Sequence, residues 1–289
     1  MDYDFSTDFK AIREILGMTQ EKFASELGVQ RVTLSRNELG TTKPSDKLYE
    51  QVYSYAFEKG IKLGRLKEML CLENMKQGHK LLFHGAKNEI EGPISVNRSR
   101  TNNDFGQGFY TGESYSQAIS FVSGFDKSSV YFLDFDSKNL LKKQYTVNRD
   151  WMLTIAYFRG ALDEYYNHPI IKKLVGEARN CDYIVAPIAD NRMFQIINSF
   201  IAGELTDEQC EHCLAATNLG NQYVFTSAKA ADRLRIIERS YVSAKERDYY
   251  LEQKWKDVSL SENKVKLARI NYRGKGQYID EILSQEELE

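Results

Sequence analysis

The stretch Asn221-Gln222-Tyr223-Val224-Phe225-Thr226 reads as a β-strand that carries one polar side chain among apolar ones. With a period of two, Gln222 and Val224 point to one face and Tyr223 and Phe225 to the other. A polar residue leading such a strand is either a pocket residue or a strand-edge cap. Two earlier stretches carry comparable features. Leu82-Phe83-His84-Gly85-Ala86 ends an apolar strand on a histidine and a glycine. The imidazole can bond a ribose hydroxyl, and the bare Gly85 backbone lets a planar amide approach its N–H and C=O; a lone histidine at a strand end is otherwise a structural residue. Asp104-Phe105-Gly106-Gln107-Gly108-Phe109-Tyr110 sets two glycines around aromatic residues, a tight and open backbone, with Tyr110 able to stack on a flat ring. Eleven residues on, Phe121 is either a second stacking ring or an ordinary core residue.

Around these stretches the texture is that of strands mixed with helices. Strands are expected over 80–84, 129–135, 183–187, 222–226 and 234–238. Helices are expected over 115–123, 150–166, 192–202 and 206–216. Thr206-Asp207-Glu208-Gln209 has the form of a capping box. Strands without regular βαβ alternation favour an α+β fold over a doubly wound sheet.

The first 75 residues read as all-helical. Met18 to Val29 is a helix with Thr19 as N-cap and a glycine turn at Gly28, and a second short helix covers 30–38. Gly40 and Pro44 then stop the chain. Two further apolar stripes follow: Leu48, Val52, Tyr55 and Ala56, then Ile61, Leu63, Leu66, Met69 and Leu70. Thr-Gln at the start of the first of these helices, Ala-x-x-Leu-Gly-Val at the turn and Lys-Pro-Ser at the exit resemble the phage-repressor, Xre/Cro-like helix-turn-helix. The resemblance implies a recognition helix in the major groove. It implies that Gln30, Arg31, Thr33 and Arg36 face DNA, with Gln20 and Lys43 near phosphates. Dimerisation and protein docking are the competing uses of such a module, and Arg31 and Arg36 are otherwise simply a solvated face.

His-Gly, then Phe-Gly-x-Gly-Phe-Tyr, then Asn-Gln-Tyr-Val-Phe resembles the His-Tyr-Glu ADP-ribosyltransferases, the class of poly(ADP-ribose) polymerases and diphtheria toxin, in an uncharacterised bacterial branch. The resemblance covers about half of the chain and implies NAD as substrate. It implies that His84 and Gly85 hold the nicotinamide ribose and carboxamide, that Tyr110 stacks on nicotinamide, and that Phe121 is the second stacking ring. Gln222 stands where the family carries its catalytic glutamate, and Ala118 where polymerases carry a serine. Glutamine keeps a hydrogen-bonding role but has no charge, so another carboxylate is sought among Glu113, Asp104, Asp190 and Glu204. Asp190 is either a cofactor ligand or the N-cap of the helix after it. Arg98 and Arg100 can meet a pyrophosphate bidentately, or simply lie in a solvated loop.

The chain has 289 residues, 42% hydrophobic and 12% aromatic, with a formal net charge of −2. That composition supports a sizeable core and excludes disorder and a uniformly basic nucleic-acid coat. An acidic, polar start and the lack of an apolar run of about 20 residues imply a cytoplasmic protein without a membrane span. Cys210-Glu211-His212-Cys213 is half of a zinc spacing without a second pair, and reads as a helix turn. The expected architecture is therefore linear: a helix-turn-helix domain over 1–75, an ADP-ribosyltransferase-like α+β domain over 80–240, and a charged helical extension over 241–289. The expected function is mono-ADP-ribosyl transfer from NAD to a protein or nucleic-acid acceptor, with a toxin or phage-defence role by analogy, on a chain that binds DNA and forms a homodimer. The alternative is a catalytically weak transcriptional regulator that senses NAD or ADP-ribose.

Overall fold

The computed structural model describes residues 2–217 and 219–284. In chain order these form α1 (Phe5–Ile15), α2 (Gln20–Leu27), α3 (Arg31–Glu38), α4 (Asp46–Glu58), α5 (Leu63–Glu73), β1 (His79–Ala86), β2 (Phe109–Gly112), α6 (Tyr115–Val122), β3 (Ser129–Asp136) and β4 (Lys142–Gln144). Next come α7 (Arg149–Phe158), α8 (Pro169–Arg179), β5 (Tyr183–Pro187), α9 (Asn191–Ile201), α10 (Asp207–Ala215), β6 (Asn221–Phe225), α11 (Ala228–Ala231), β7 (Leu234–Tyr241), α12 (Ala244–Asn271) and α13 (Ile279–Ser284). A helical N-terminal region precedes a mixed α+β region. The chain forms two compact units, one of residues 1–92, 114–135 and 235–254, the other of 93–113, 136–234 and 255–289. These units are not collinear with a linear division at 75, 80 and 240. Residues 285–289 of the expected extension lie outside the described residues.

In the first unit, Thr19 accepts a hydrogen bond from Lys22 N at 3.2 Å and starts α2; Gly28, at φ 65°, ends it. Phe9, Phe23, Leu34, Val52 and Tyr53 fill the core of these helices. Leu81, Phe83, Ile119, Val130 and Phe132 form a second cluster where β1 and β3 meet α6. The strands of this unit run in the order β1-β3-β7.

The expected stripe on α5 is corrected. Leu66, Met69 and Leu70 are 38%, 58% and 58% exposed, whereas Gly64, Lys67 and Glu68 are buried. The reason is tertiary. Lys67 reaches the carboxylates of Asp8 and Glu238, and Glu68 accepts from Tyr115 N. A Cβ on Gly64 would stand 2.1 Å from the Tyr115 ring. Ion pairing and this close approach turn the charged face inward against the apolar periodicity.

In the second unit the strand order is β4-β5-β6-β2, with β4 parallel to β5 and the remaining pairs antiparallel. Trp151, Met152, Ile155, Phe200 and Val224 lie in its core. The helix expected over 150–166 is shorter: α7 stops before Gly160, whose φ is 83°, and a 3-10 turn covers Asp163–Tyr165. The capping box forms by half. Thr206 accepts from Gln209 N at 3.3 Å, but the Gln209 amide donates to Arg269 O at 2.6 Å instead of folding back. Cys210 and Cys213 are buried on α10, and all four cysteines are free. No helix among the described residues is long and apolar enough to cross a membrane.

Candidate functional site

On α3 the periodicity separates two faces. Leu34 and Asn37 point into the helical core, while Gln30, Arg31, Thr33 and Arg36 are exposed. No side-chain cap bond holds Gln30 at the start of the helix. Lys43 is exposed as well, and its ion pair with Asp2 at 3.2 Å joins two side chains that are 75% and 78% exposed. Such a pair is screened by solvent and leaves the ammonium accessible. Gln20, expected near phosphates, lies at the start of α2. Its amide donates to Glu38, which also takes Arg13. Gln20 therefore ties the start of α2 to the end of α3 inside the module.

In the second unit the central residue is Gln222, 7% exposed on β6. Its register partners are Ala186 on β5 and Gly112 on β2. Directly opposed residues stand close on one face of a sheet, so small partners leave room beside the Gln222 side chain. The Gln222 amide donates to Asp104 Oδ2 at 2.7 Å and to Pro187 O at 3.2 Å. Asp104 is itself buried and takes Arg159 Nε at 2.8 Å and Ala189 N at 3.2 Å. Arg159 lies over the Phe194 ring, 4.5 Å from its centroid, and donates to Ala189 O. Both acceptors of Gln222 face its nitrogen, which fixes the orientation of the amide.

Tyr110 lies on β2 in the same unit. Its hydroxyl donates to Gly106 O at 2.7 Å and accepts from Phe105 N at 3.2 Å. Burial raises its hydroxyl pKa above the ordinary tyrosine value. The ring thus closes the glycine loop upon the strand that follows it. Gly106 has φ 73°, and a Cβ there would come within 2.9 Å of Phe158, so this position needs glycine on both counts.

The other expected ligands are placed as follows. Asp190 caps α9, accepting from Met193 N at 2.8 Å. Arg98 ends a 3-10 turn, Val96–Arg98, and both Arg98 and Arg100 are exposed. Glu113 accepts from Asn221 at 3.2 Å, and burial together with this carboxylate pushes Tyr223 up to about 12. Glu204 is exposed beyond α9. His84, Gly85 and Phe121 belong to the first unit, where Phe121 is 52% exposed on α6. A Cβ on Gly85 would stand 2.4 Å from Ala118 O. Close packing of the α6 backbone on that side therefore requires glycine at this position.

Of the four carboxylates considered as partners for Gln222, Asp104 is the one hydrogen-bonded to it. Arg159 carries no motif in the sequence. Its signal is positional only, a lone arginine before the glycine that ends α7. Among the described residues no group of three or more histidine, cysteine, aspartate or glutamate side chains is arranged to hold a metal ion.

Residues 9–51, from α1 into α4, match a family model described as "Helix-turn-helix", which supports DNA binding by this module. No curated protein and no solved structure matches the chain. Residues 80–236 match the model described as "Protein of unknown function (DUF3990)"; that match covers more than half of the sequence, and the chain belongs to the DUF3990 family.

Proposed function

We propose that the DUF3990 region is an NAD-dependent ADP-ribosyltransferase carried on a DNA-binding helix-turn-helix. The observation that supports this reading is the fixed amide of Gln222. Both of its acceptors lie on the nitrogen side, so the carbonyl oxygen is the end left to accept a hydrogen bond. A charge-assisted bond to Asp104 polarises that amide and makes the oxygen a stronger acceptor. An oriented acceptor of this kind suits a ribose hydroxyl. It would strengthen its bond as positive charge develops at the anomeric carbon. In the reaction the bond between nicotinamide and ribose breaks and nicotinamide leaves with the electron pair. The acceptor's nucleophile bonds to the anomeric carbon and gives up its proton. The resemblance of the His-Gly pair and of Tyr110 to the transferase class assigns them to the nicotinamide end.

A second reading has its own support. Arg159 already neutralises Asp104, so the carboxylate beside Gln222 brings no free negative charge. This favours a regulator that binds NAD or ADP-ribose and turns it over slowly or not at all.

Incubation with labelled NAD and a cell lysate separates the two. Label transfer by the wild type, lost in Gln222→Ala, His84→Ala and Tyr110→Ala, supports transfer. NAD binding without label transfer or nicotinamide release supports the sensor. Absence of NAD binding by the folded wild type refutes both.

A further inference from the structure

Away from Gln222, the second unit carries an open groove of about 520 Å³ between the edge strand β4 and α8. Four lysines line it, Lys142 and Lys143 from β4 and Lys172 and Lys173 from α8, against the single carboxylate of Glu177. Glu177 pairs with Lys143, and the Lys143 and Lys173 charges hold its carboxyl below the usual range. One acid is thus shared by two ammonium groups. Lys142 donates to the neutral Gln144 amide oxygen at 2.8 Å. Lys142, Lys172 and Lys173 are exposed. Beside them, Gly176 leaves open space, with nothing within 4 Å of where a Cβ would stand.

This concentration of charge is not the background of the chain, whose net charge is −2. Clefts lined by one sign of charge focus the field and gather counter-ions of the other sign. The chemistry of the lining selects among anions. Lysine ammonium groups are point charges that bind phosphate oxygens without a fixed bidentate geometry. The lining has no arginine fork to read a base edge and no aromatic platform for a base to stack on. Such a surface follows a run of phosphates without reading sequence. Lysines on an edge strand also prevent edge-to-edge pairing of sheets. That role accounts for Lys142 and Lys143 but not for Lys172 and Lys173, which face the same groove from a helix.

We propose that this groove binds the sugar-phosphate backbone of a nucleic-acid strand, independently of sequence and separately from the helix-turn-helix. The inference does not depend on whether the Gln222 cluster turns over NAD, because binding is read without NAD. If the transferase reading also holds, the groove places a nucleic acid on the same compact unit as Gln222, as a candidate acceptor.

The test uses the full chain with Arg31→Ala and Arg36→Ala to silence the recognition helix. The probe is a fluorescent mixed-sequence single-stranded oligonucleotide. Adding Lys142→Gln, Lys172→Gln and Lys173→Gln should weaken binding by roughly ten-fold or more at low salt. It should also flatten the plot of log affinity against log salt by about 2, as expected when three phosphate contacts on a single strand are lost. These three side chains are exposed, so the variant should keep the wild-type thermal unfolding curve, and that measurement checks folding. Inorganic phosphate at the same ionic strength should not compete beyond its salt effect. Unchanged oligonucleotide affinity and salt slope in the lysine variant would overturn the proposal. So would binding to vesicles rich in anionic lipid in place of the oligonucleotide, or displacement by millimolar phosphate, which would indicate a site for a small anion.

Discussion

At the scale of single residues, Asp104 is the hub of the buried polar cluster, and its removal is the most informative change. Arg159 is 15% exposed, and Asp104→Ala would leave its charge buried without its carboxylate. Breaking a buried pair from one side costs about 3–5 kcal/mol, so chemical denaturation should show a loss of that order. Gln222→Ala removes a neutral partner and should cost less. The cluster also decides how glutamate behaves at position 222. In Gln222→Glu the new carboxyl would face Asp104 across the 2.7 Å contact, and two carboxylates so close share a proton. Under the transferase reading, the single variant should therefore gain less NAD turnover than a glutamate that faces no second carboxylate. Gln222→Glu combined with Asp104→Asn should gain about ten-fold or more at neutral pH. A double variant no faster than wild type in a nicotinamide-release assay would remove Gln222 from the reacting centre. On the helix-turn-helix, Arg31 and Arg36 are exposed. Their joint replacement by alanine should leave stability within about 0.5 kcal/mol while duplex DNA affinity, read by anisotropy, falls by roughly ten-fold or more.

At the scale of elements, α12 begins on a buried acid. Ser243 accepts from Glu246 N at 3.3 Å, and the Glu246 carboxyl meets the Tyr115 hydroxyl at 3.1 Å. Burial raises this carboxyl to about 7, opposed by the Tyr115 hydrogen bond and by the Lys62 charge. The folded pKa lies above the unfolded value of about 4.5, so between these values the folded chain holds a proton that the unfolded chain releases. Stability from this group is greatest below pH 4.5 and is lost as pH rises to about 7, by roughly 3 kcal/mol in all. Glu246→Gln keeps a neutral hydrogen-bonding group there. It should abolish that slope and raise the melting temperature at pH 8 relative to wild type; parallel pH profiles for the two proteins would exclude Glu246 as the source. The same scale shows where periodicity holds and where it fails. The strand over 183–187 and the helix starts at Thr19 and Thr206 follow from local chemistry, because β-alternation and capping hydroxyls act within a few residues. The inverted face of α5 does not, because Lys67 answers to Asp8 and Glu238, 59 and 171 positions away.

At the scale of the whole molecule, the helix-turn-helix is not a separable bead on the chain. Within its compact unit, Tyr241 donates to Glu50 at 2.9 Å, and Ala244 N donates to the same carboxylate at 2.9 Å. The Tyr241 ring stacks on Tyr49 with centroids 5.5 Å apart. Arg239 lies 4.4 Å over the Tyr3 ring. A fragment ending at Met75 would lose all of these partners and leave Lys67 without Glu238. Such a fragment should melt well below the full chain and bind duplex DNA more weakly in proportion to its unfolded fraction. A fragment equal to the full chain in both measurements would show that those contacts contribute nothing.

Much of the protein is set by the sequence alone. Capping residues, turn glycines and a period of two or 3.6 identify the helix-turn-helix and most strands. Periodicity also brings Gln222 forward as a lone polar residue on an apolar strand, whereas Asp104 is a candidate only through the resemblance to the transferases. These are short-range effects, and a single chain displays them directly. Tertiary structure alone decides that Asp104 bonds Gln222, that Arg159 neutralises it, and that the α6 backbone packs against Gly85 closely enough to require glycine. It alone assembles a basic groove from lysines on β4 and α8. Each of these outcomes depends on which distant groups must satisfy one another once water is excluded. That pairing is a property of the packed chain and leaves no periodic mark in the sequence.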